Sequence, residues 1–202
     1  MIKRFIDIFL SLIILLAASP IIIIILLLVS LSTSQFPVII QKRSITIEKR
    51  RIKVYKIRTI KSSQEFLKLE VASSNIFFKE NFREYVPGFC ALLRKNGMDE
   101  ILQLINVIKG EMSIVGPRPL LESDLKIMQT MEPEFYLRRT DINSLPGITG
   151  YWQVFGDRKK GSQSLVELDE AYEKQKSFFF DAKIMLKSIL IILTASHSDS
   201  IL

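Results

Sequence analysis

Two adjacent carboxylates, Asp99 and Glu100, stand at the start of an apolar helical pattern, and a rigid Pro117-Arg118-Pro119 corner follows less than twenty residues later. An acid pair with a pre-set guanidinium suits chemistry on a phosphate. Asp can act as a nucleophile that forms an acyl phosphate. A second carboxylate beside it repels it unless a cation lies between them, and Mg²⁺ favours such oxygen ligands and also bridges phosphates. A plainer reading stands beside this one, because Asp is a preferred helix N-cap and acids favour helix N-termini. The two prolines push Arg118 toward an extended backbone, which suits bidentate phosphate contact; the alternative is a surface turn with a solvated Arg. Arg94, Arg138 and Arg139 are further phosphate candidates, each also explicable as helical surface charge. Tyr151 and Trp152 suit stacking on a base, a place at a bilayer interface, or core packing.

These residues need elements to hold them. The sequence predicts a helix from Asp99 to Lys109, ended by Gly110. Val38-Ile39-Ile40 and Ile52 to Ile57 read as short extended pieces, the second with period-two alternation. The basic residues around them, Lys56 and Arg58 included, fit juxtamembrane attraction to anionic lipid, with one or two free to bind phosphate. Residues 62 to 74 are polar. Phe78, Phe82, Tyr85 and Phe89 recur on one helical face, toward a core or a bilayer surface, and Pro87-Gly88 is expected to end that helix. Pro146 to Gly150 is a turn-rich loop. Leu165 to Lys176 is an amphipathic helix, and the apolar run Ile184 to Leu193 is too short to span, so it is buried or interfacial.

The N-terminal segment is of another kind. From Ile8 to Val29 no residue is charged, a length that crosses a hydrocarbon core of about 30 Å as a helix. A simple transmembrane anchor is one reading. Two features favour another. Ser19-Pro20 interrupts the run near its middle, and Pro20 has no N–H to give. Positive charge flanks both ends, with Lys3 and Arg4 before the run and Lys42, Arg43 and their neighbours after it, so the positive-inside rule keeps both ends cytoplasmic. A re-entrant helix that breaks at Ser19-Pro20 meets both constraints, provided the freed backbone finds a partner such as a Ser hydroxyl.

The chain has 202 residues, 48% of them hydrophobic, and a mean hydropathy of +0.25. That suits one membrane-embedded segment on a water-facing domain: residues 1–34 as a re-entrant membrane helix and 35–202 as a cytoplasmic-face catalytic domain. The expected class is an α-rich α+β monotopic membrane protein with amphipathic interfacial helices and short strands. The net charge of +7 calls for an anionic partner. The basic residues sit beside the membrane segment and form no recognition motif, so no nucleic acid is expected. The single cysteine, Cys90, excludes an intramolecular disulfide, and with one histidine, His197, near the C-terminus, neither a zinc site nor a Ser-His or Cys-His catalytic pair is expected.

The block Asp99-Glu100-Ile101-Leu102-Gln103-Leu104 through Val115-Gly116-Pro117-Arg118-Pro119 resembles the bacterial sugar transferases, the monotopic phosphoglycosyl transferases, in their small catalytic-domain-only form. Lys3-Arg4-Phe5-Ile6-Asp7, Ser19-Pro20, Gln41-Lys42-Arg43, Tyr55 to Thr59, Pro146 to Gly150 and Glu167-Leu168-Asp169 through Tyr172 extend the resemblance over nearly the whole chain. It implies a protein in the cytoplasmic leaflet of the bacterial inner membrane that starts polyprenol-linked glycan assembly. Asp99 would attack the β-phosphate of a UDP-sugar, release UMP and hold the sugar phosphate covalently. Polyprenyl phosphate, undecaprenyl phosphate for example, would then accept it. Glu100 would help Asp99 hold Mg²⁺. Arg118, within Pro117-Arg118-Pro119, would bind nucleotide, with Arg94, Lys56 and Arg58 as further substrate contacts. Downstream glycosyltransferases would be partners. Leu145 departs from the family pattern, where an Arg is usual; that motivates a second reading, an inactive relative acting as a membrane scaffold. Arg138, Arg139 and Arg158 are the residues that could compensate.

Overall fold

A computed structural model describes residues 2–61 and 85–194. The polar stretch from residue 62, with Phe78 and Phe82, lies outside the described residues. Helix α1 runs Ile2–Thr33. Strands β1 (Val38–Ser44) and β2 (Ile52–Ile57) form a hairpin, followed by α2 (Gly88–Lys95) and a single 3₁₀ turn, Met98–Glu100. Next come α3 (Gln103–Ile108), β3 (Ser113–Val115), β4 (Leu120–Leu121), α4 (Glu122–Met131) and α5 (Pro133–Arg139). The chain closes with β5 (Gly147–Thr149), α6 (Tyr151–Phe155), α7 (Gly161–Gln175) and α8 (Phe178–Leu193). The expected helix-rich α+β class holds.

Two small sheets organise the domain. One is antiparallel in the order β2-β1-β4, with Lys56 opposite Ile39, and Arg43 opposite both Ile52 and Leu121. The other pairs β3 with β5 in parallel. Pro146 to Gly150, expected as a loop, therefore contains a strand. The close approach there demands glycine: a Cβ on Gly116 or Gly147 would overlap the backbone of the other segment.

Helix α1 is long and apolar enough to cross a membrane by length and composition. Its residues Leu16, Ile21, Ile23, Ile24, Leu27 and Leu31 are exposed. The other face packs: Ile22, Ile25 and Val29 share a core with Ile57, Cys90, Leu93 and Leu102. The N-terminal end is tied to the same domain. Arg4 donates to the carbonyls of Met112 and Val107, Asp7 accepts from Ser113, and Lys3 Nζ lies 2.5 Å from Asp181 of α8. A straight helix rises about 38 Å between residues 4 and 29. Both ends nonetheless contact one domain, so α1 lies along it rather than leading away from it.

The expected break at Ser19-Pro20 takes a milder form. The helix is continuous through Pro20. What is lost is one hydrogen bond, because Pro20 has no N–H for the carbonyl of Leu16, four residues back. Ser19 Oγ donates to that same carbonyl at 2.8 Å. The serine thus supplies the bond that the proline withholds.

Helix α8 begins at Phe178, six residues earlier than the apolar run suggested, and is N-capped by Ser177, which accepts from the Phe180 N–H at 3.2 Å. Asp181 and Ile184 are buried, whereas Phe178, Phe179, Leu186, Ile189, Leu190 and Leu193 are exposed. Pro87-Gly88 stands at the start of α2, with Pro87 as the N-cap; the helix that it was expected to end lies mostly outside the described residues.

Candidate active site

The helix expected from Asp99 to Lys109 is two pieces. Gly97 adopts a positive φ of 67°, and the chain turns through the 3₁₀ segment before α3 begins at Gln103. Asp99 is not at an N-cap position, which Gly97 holds for the 3₁₀ turn and Leu102 for α3. Capping therefore does not account for the acid pair. Both carboxylates point inward, with Asp99 3% and Glu100 7% exposed.

A buried pair of acids needs a cation, and the nearest one comes from β2. Lys56 Nζ lies 3.0 Å from Asp99 Oδ2 and 3.0 Å from Glu100 Oε1. Lys56, expected among the substrate-binding cations, bridges the two carboxylates with its ammonium. Asn106 fixes this register. Its side chain accepts from the Tyr55 N–H at 3.2 Å and donates to the Lys53 carbonyl at 2.7 Å, docking α3 onto the free edge of β2. Arg94, on α2, donates to Thr59 Oγ1 at 3.3 Å. Burial raises the Asp99 carboxyl above its ordinary range; Lys56 opposes this, Glu100 adds to it, and Arg94 pulls it down again.

The donor set fits a divalent cation of the Mg²⁺ type. Among the described residues no group of three or more His, Cys, Asp or Glu side chains could hold a metal by itself. Two carboxylates suit an ion that takes its remaining ligands from substrate phosphates and water.

The Pro-Arg-Pro corner lies at the other end of the hairpin. The β4 strand that follows it pairs with Arg43 and Ser44, opposite Ile52 rather than Lys56. Four residues of β2 separate the two ends, about 13 Å. The guanidinium of Arg118 stacks over Trp152 at 5.2 Å, and that of Arg158 lies 5.5 Å from the same ring. Trp152 is buried, so its ring is a shelf for two arginines.

Other candidates are placed elsewhere. Arg139 is fully buried in an ion pair with Asp169, 2.8 Å apart, and Arg138 holds Glu170 through two bonds of 2.8 and 2.7 Å. A buried guanidinium with a dedicated carboxylate is unavailable to substrate, so Arg139 is not a phosphate contact. Arg58 donates to the Phe36 carbonyl at 2.8 Å and to Gln35 at 3.3 Å, bracing the link between α1 and β1. Tyr151 packs edge-on against Phe155 and Phe180. Leu145 lines a separate cavity of about 420 Å³ with Lys3, Arg4, Lys176 and Asp181, into which neither acid, Lys56 nor Arg118 faces.

Asp169 is the residue that the chemical reading passed over. Its signal was present: Leu165, Val166, Asp169 and Tyr172 are the buried side of α7. A carboxylate on an apolar helical stripe marks a buried partner.

The family model described as bacterial sugar transferase matches residues 1–195 of the 202. The chain belongs to the bacterial sugar transferases. Among relatives of this family, the UDP-glucose:undecaprenyl-phosphate glucose-1-phosphate transferase of Escherichia coli is 34% identical over 195 residues, 94% of this chain and 39% of that protein. The exopolysaccharide production protein ExoY of Rhizobium meliloti is 42% identical over 99 residues, 49% of this chain and 41% of its own. The undecaprenyl-phosphate galactose phosphotransferase of Salmonella typhimurium is 32% identical over 147 residues, 69% of this chain and 30% of its own. The sugar transferase chain thus spans well under half the length of these relatives.

Proposed function

We infer that this chain is a phosphoglycosyl transferase that moves a sugar 1-phosphate from a UDP-sugar to a polyprenyl phosphate. The observation that carries the reading is the buried, Lys56-bridged Asp99–Glu100 pair in a sugar transferase chain. Relatives named for undecaprenyl-phosphate sugar transfer support the general reaction.

In this reading an oxygen of the Asp99 carboxylate attacks the β-phosphorus of the donor. A bond forms between Asp99 and that phosphorus, and the bond to the bridging oxygen breaks, so UMP leaves with that oxygen. The sugar phosphate stays on Asp99 as an acyl phosphate. A phosphate oxygen of the polyprenyl phosphate then attacks the same phosphorus and displaces the carboxylate, giving a polyprenyl diphosphate sugar. Lys56 holds the carboxylates together before the donor arrives and offsets phosphate charge afterwards. Arg94, electrostatically linked to Asp99, is placed to meet the same phosphates. Arg118 on its Trp152 shelf receives the nucleotide end of an extended nucleotide sugar. Asp99 and Glu100 are the residues that would hold Mg²⁺, which when bound would supply charge neutralisation at the diphosphate.

The apolar exposed faces of α1 and α8 support residence at a membrane, in this reading the cytoplasmic leaflet of the bacterial inner membrane, with α1 lying along the domain. That places Asp99 where a water-soluble donor and a lipid acceptor can both reach it. UMP release by solubilised protein with Mg²⁺, undecaprenyl phosphate and a panel of UDP-sugars tests the reading. Release that vanishes in Asp99→Asn is expected. Equal release by the variant would remove Asp99 from the role of nucleophile.

A further inference from the structure

The Pro-Arg-Pro corner has an anchoring problem. Neither proline has a backbone N–H, so the corner owns a single main-chain donor, that of Arg118. Asp169 Oδ1 accepts from it at 3.4 Å. The acceptor of the same residue is also taken: Arg139 Nη2 donates to the Arg118 carbonyl at 2.7 Å. Asp169 Oδ2 and Arg139 Nη1 close the ring at 2.8 Å, and Arg139 Nε reaches the Ile45 carbonyl at 3.2 Å. Both side chains are fully buried. Arg118 thus has its N–H and its C=O held by one ion pair, while its guanidinium extends over Trp152.

Stability alone gives a weak reason for this pair, since a buried ion pair often adds little over well-packed apolar side chains. Its geometry gives a better one. It joins α5 to α7, and two of its bonds converge on the residue whose side chain must be aimed. We propose that Arg139 and Asp169 are positioning residues for donor recognition: they set the backbone of Arg118, so that its guanidinium meets the nucleotide end of the donor without searching. This rests on the reading that Arg118 binds the donor.

Coupling separates positioning from mere support. The test is a double-mutant cycle of UDP affinity, measured at equilibrium on the full chain in lipid nanodiscs, with wild type, Arg118→Ala, Asp169→Asn and the double variant. Asp169→Asn is nearly isosteric and is expected to weaken UDP about tenfold when Arg118 is present. In the Arg118→Ala background it is expected to change affinity by less than about twofold, because the group it aims is gone. Equal losses in both backgrounds, or no loss in either, would overturn the proposal. Unchanged UDP affinity in Arg118→Ala alone would instead overturn the donor-binding role of Arg118. Where Asp169→Asn does not fold, Arg139→Lys, which keeps the charge and loses the planar fork, runs through the same cycle with the same expected pattern.

Discussion

Lys56 Nζ stands 3.0 Å from both Asp99 and Glu100, so one ammonium from a sheet edge serves two buried carboxylates on a separate turn. Removing it in Lys56→Met leaves two acids facing each other without a cation. The expected loss is about 3–5 kcal/mol of stability, the scale of breaking a buried pair. Thermal unfolding in detergent checks it, and a variant as stable as wild type would show that the bridge carries no such weight.

Asp99→Asn removes the proposed nucleophile with almost no change in volume. UMP release is expected to fall roughly a thousandfold or more, the scale of losing a covalent catalyst, while association with membranes is unchanged. Flotation with lipid vesicles beside the UMP assay separates the two effects.

Acid is expected to affect activity and stability in opposite directions. Asp99 is raised by burial, so its nucleophilic form is lost at a higher pH than for an ordinary carboxylate, and turnover declines as pH falls through that range. For folding the sign is reversed. A raised native pKa means that the folded state binds the proton more tightly, so this contribution to stability is present at low pH and disappears as pH rises through the native value. Asp169 behaves likewise, pushed up to about 6 by burial from 3.8, with Arg139 and Arg118 opposing. On acidification both groups favour the folded chain while activity decreases, the Asp169 contribution developing between about pH 6 and 4. Parallel pH profiles of Tm and UMP release check the divergence.

Ser19 and Pro20 are expected to be coupled. Ser19→Ala leaves the Leu16 carbonyl without its side-chain donor and is expected to cost about 1 kcal/mol. In a Pro20→Ala background the restored N–H takes over, and Ser19→Ala becomes close to neutral. Additive losses in a melting series would refute the relay.

Much of this was legible before any fold existed. The acid pair, the Pro-Arg-Pro corner, the charge-free segment and the second strand all follow from local chemistry and period. Three things were not. Local sequence favours capping for Asp99, and only the positive φ of Gly97 together with burial turns its side chain inward. The assignment of Lys56 to the acids depends on Asn106 docking α3 against β2, a contact across about fifty residues that no window of sequence contains. Arg139 reads as surface charge until α7 brings Asp169 against it.

The side chains that α1 contributes to the packing against Ile57, Cys90 and Leu93 come from its own apolar run. The helix is therefore not a detachable tether. A truncation that begins after Thr33 would strip Ile22, Ile25 and Val29 from that core and expose the wall behind the Asp99 turn. The core beside the Asp99 turn is completed only when the apolar run of α1 is in place. Attempts to liberate a soluble catalytic fragment are then attempts to remove one of its walls.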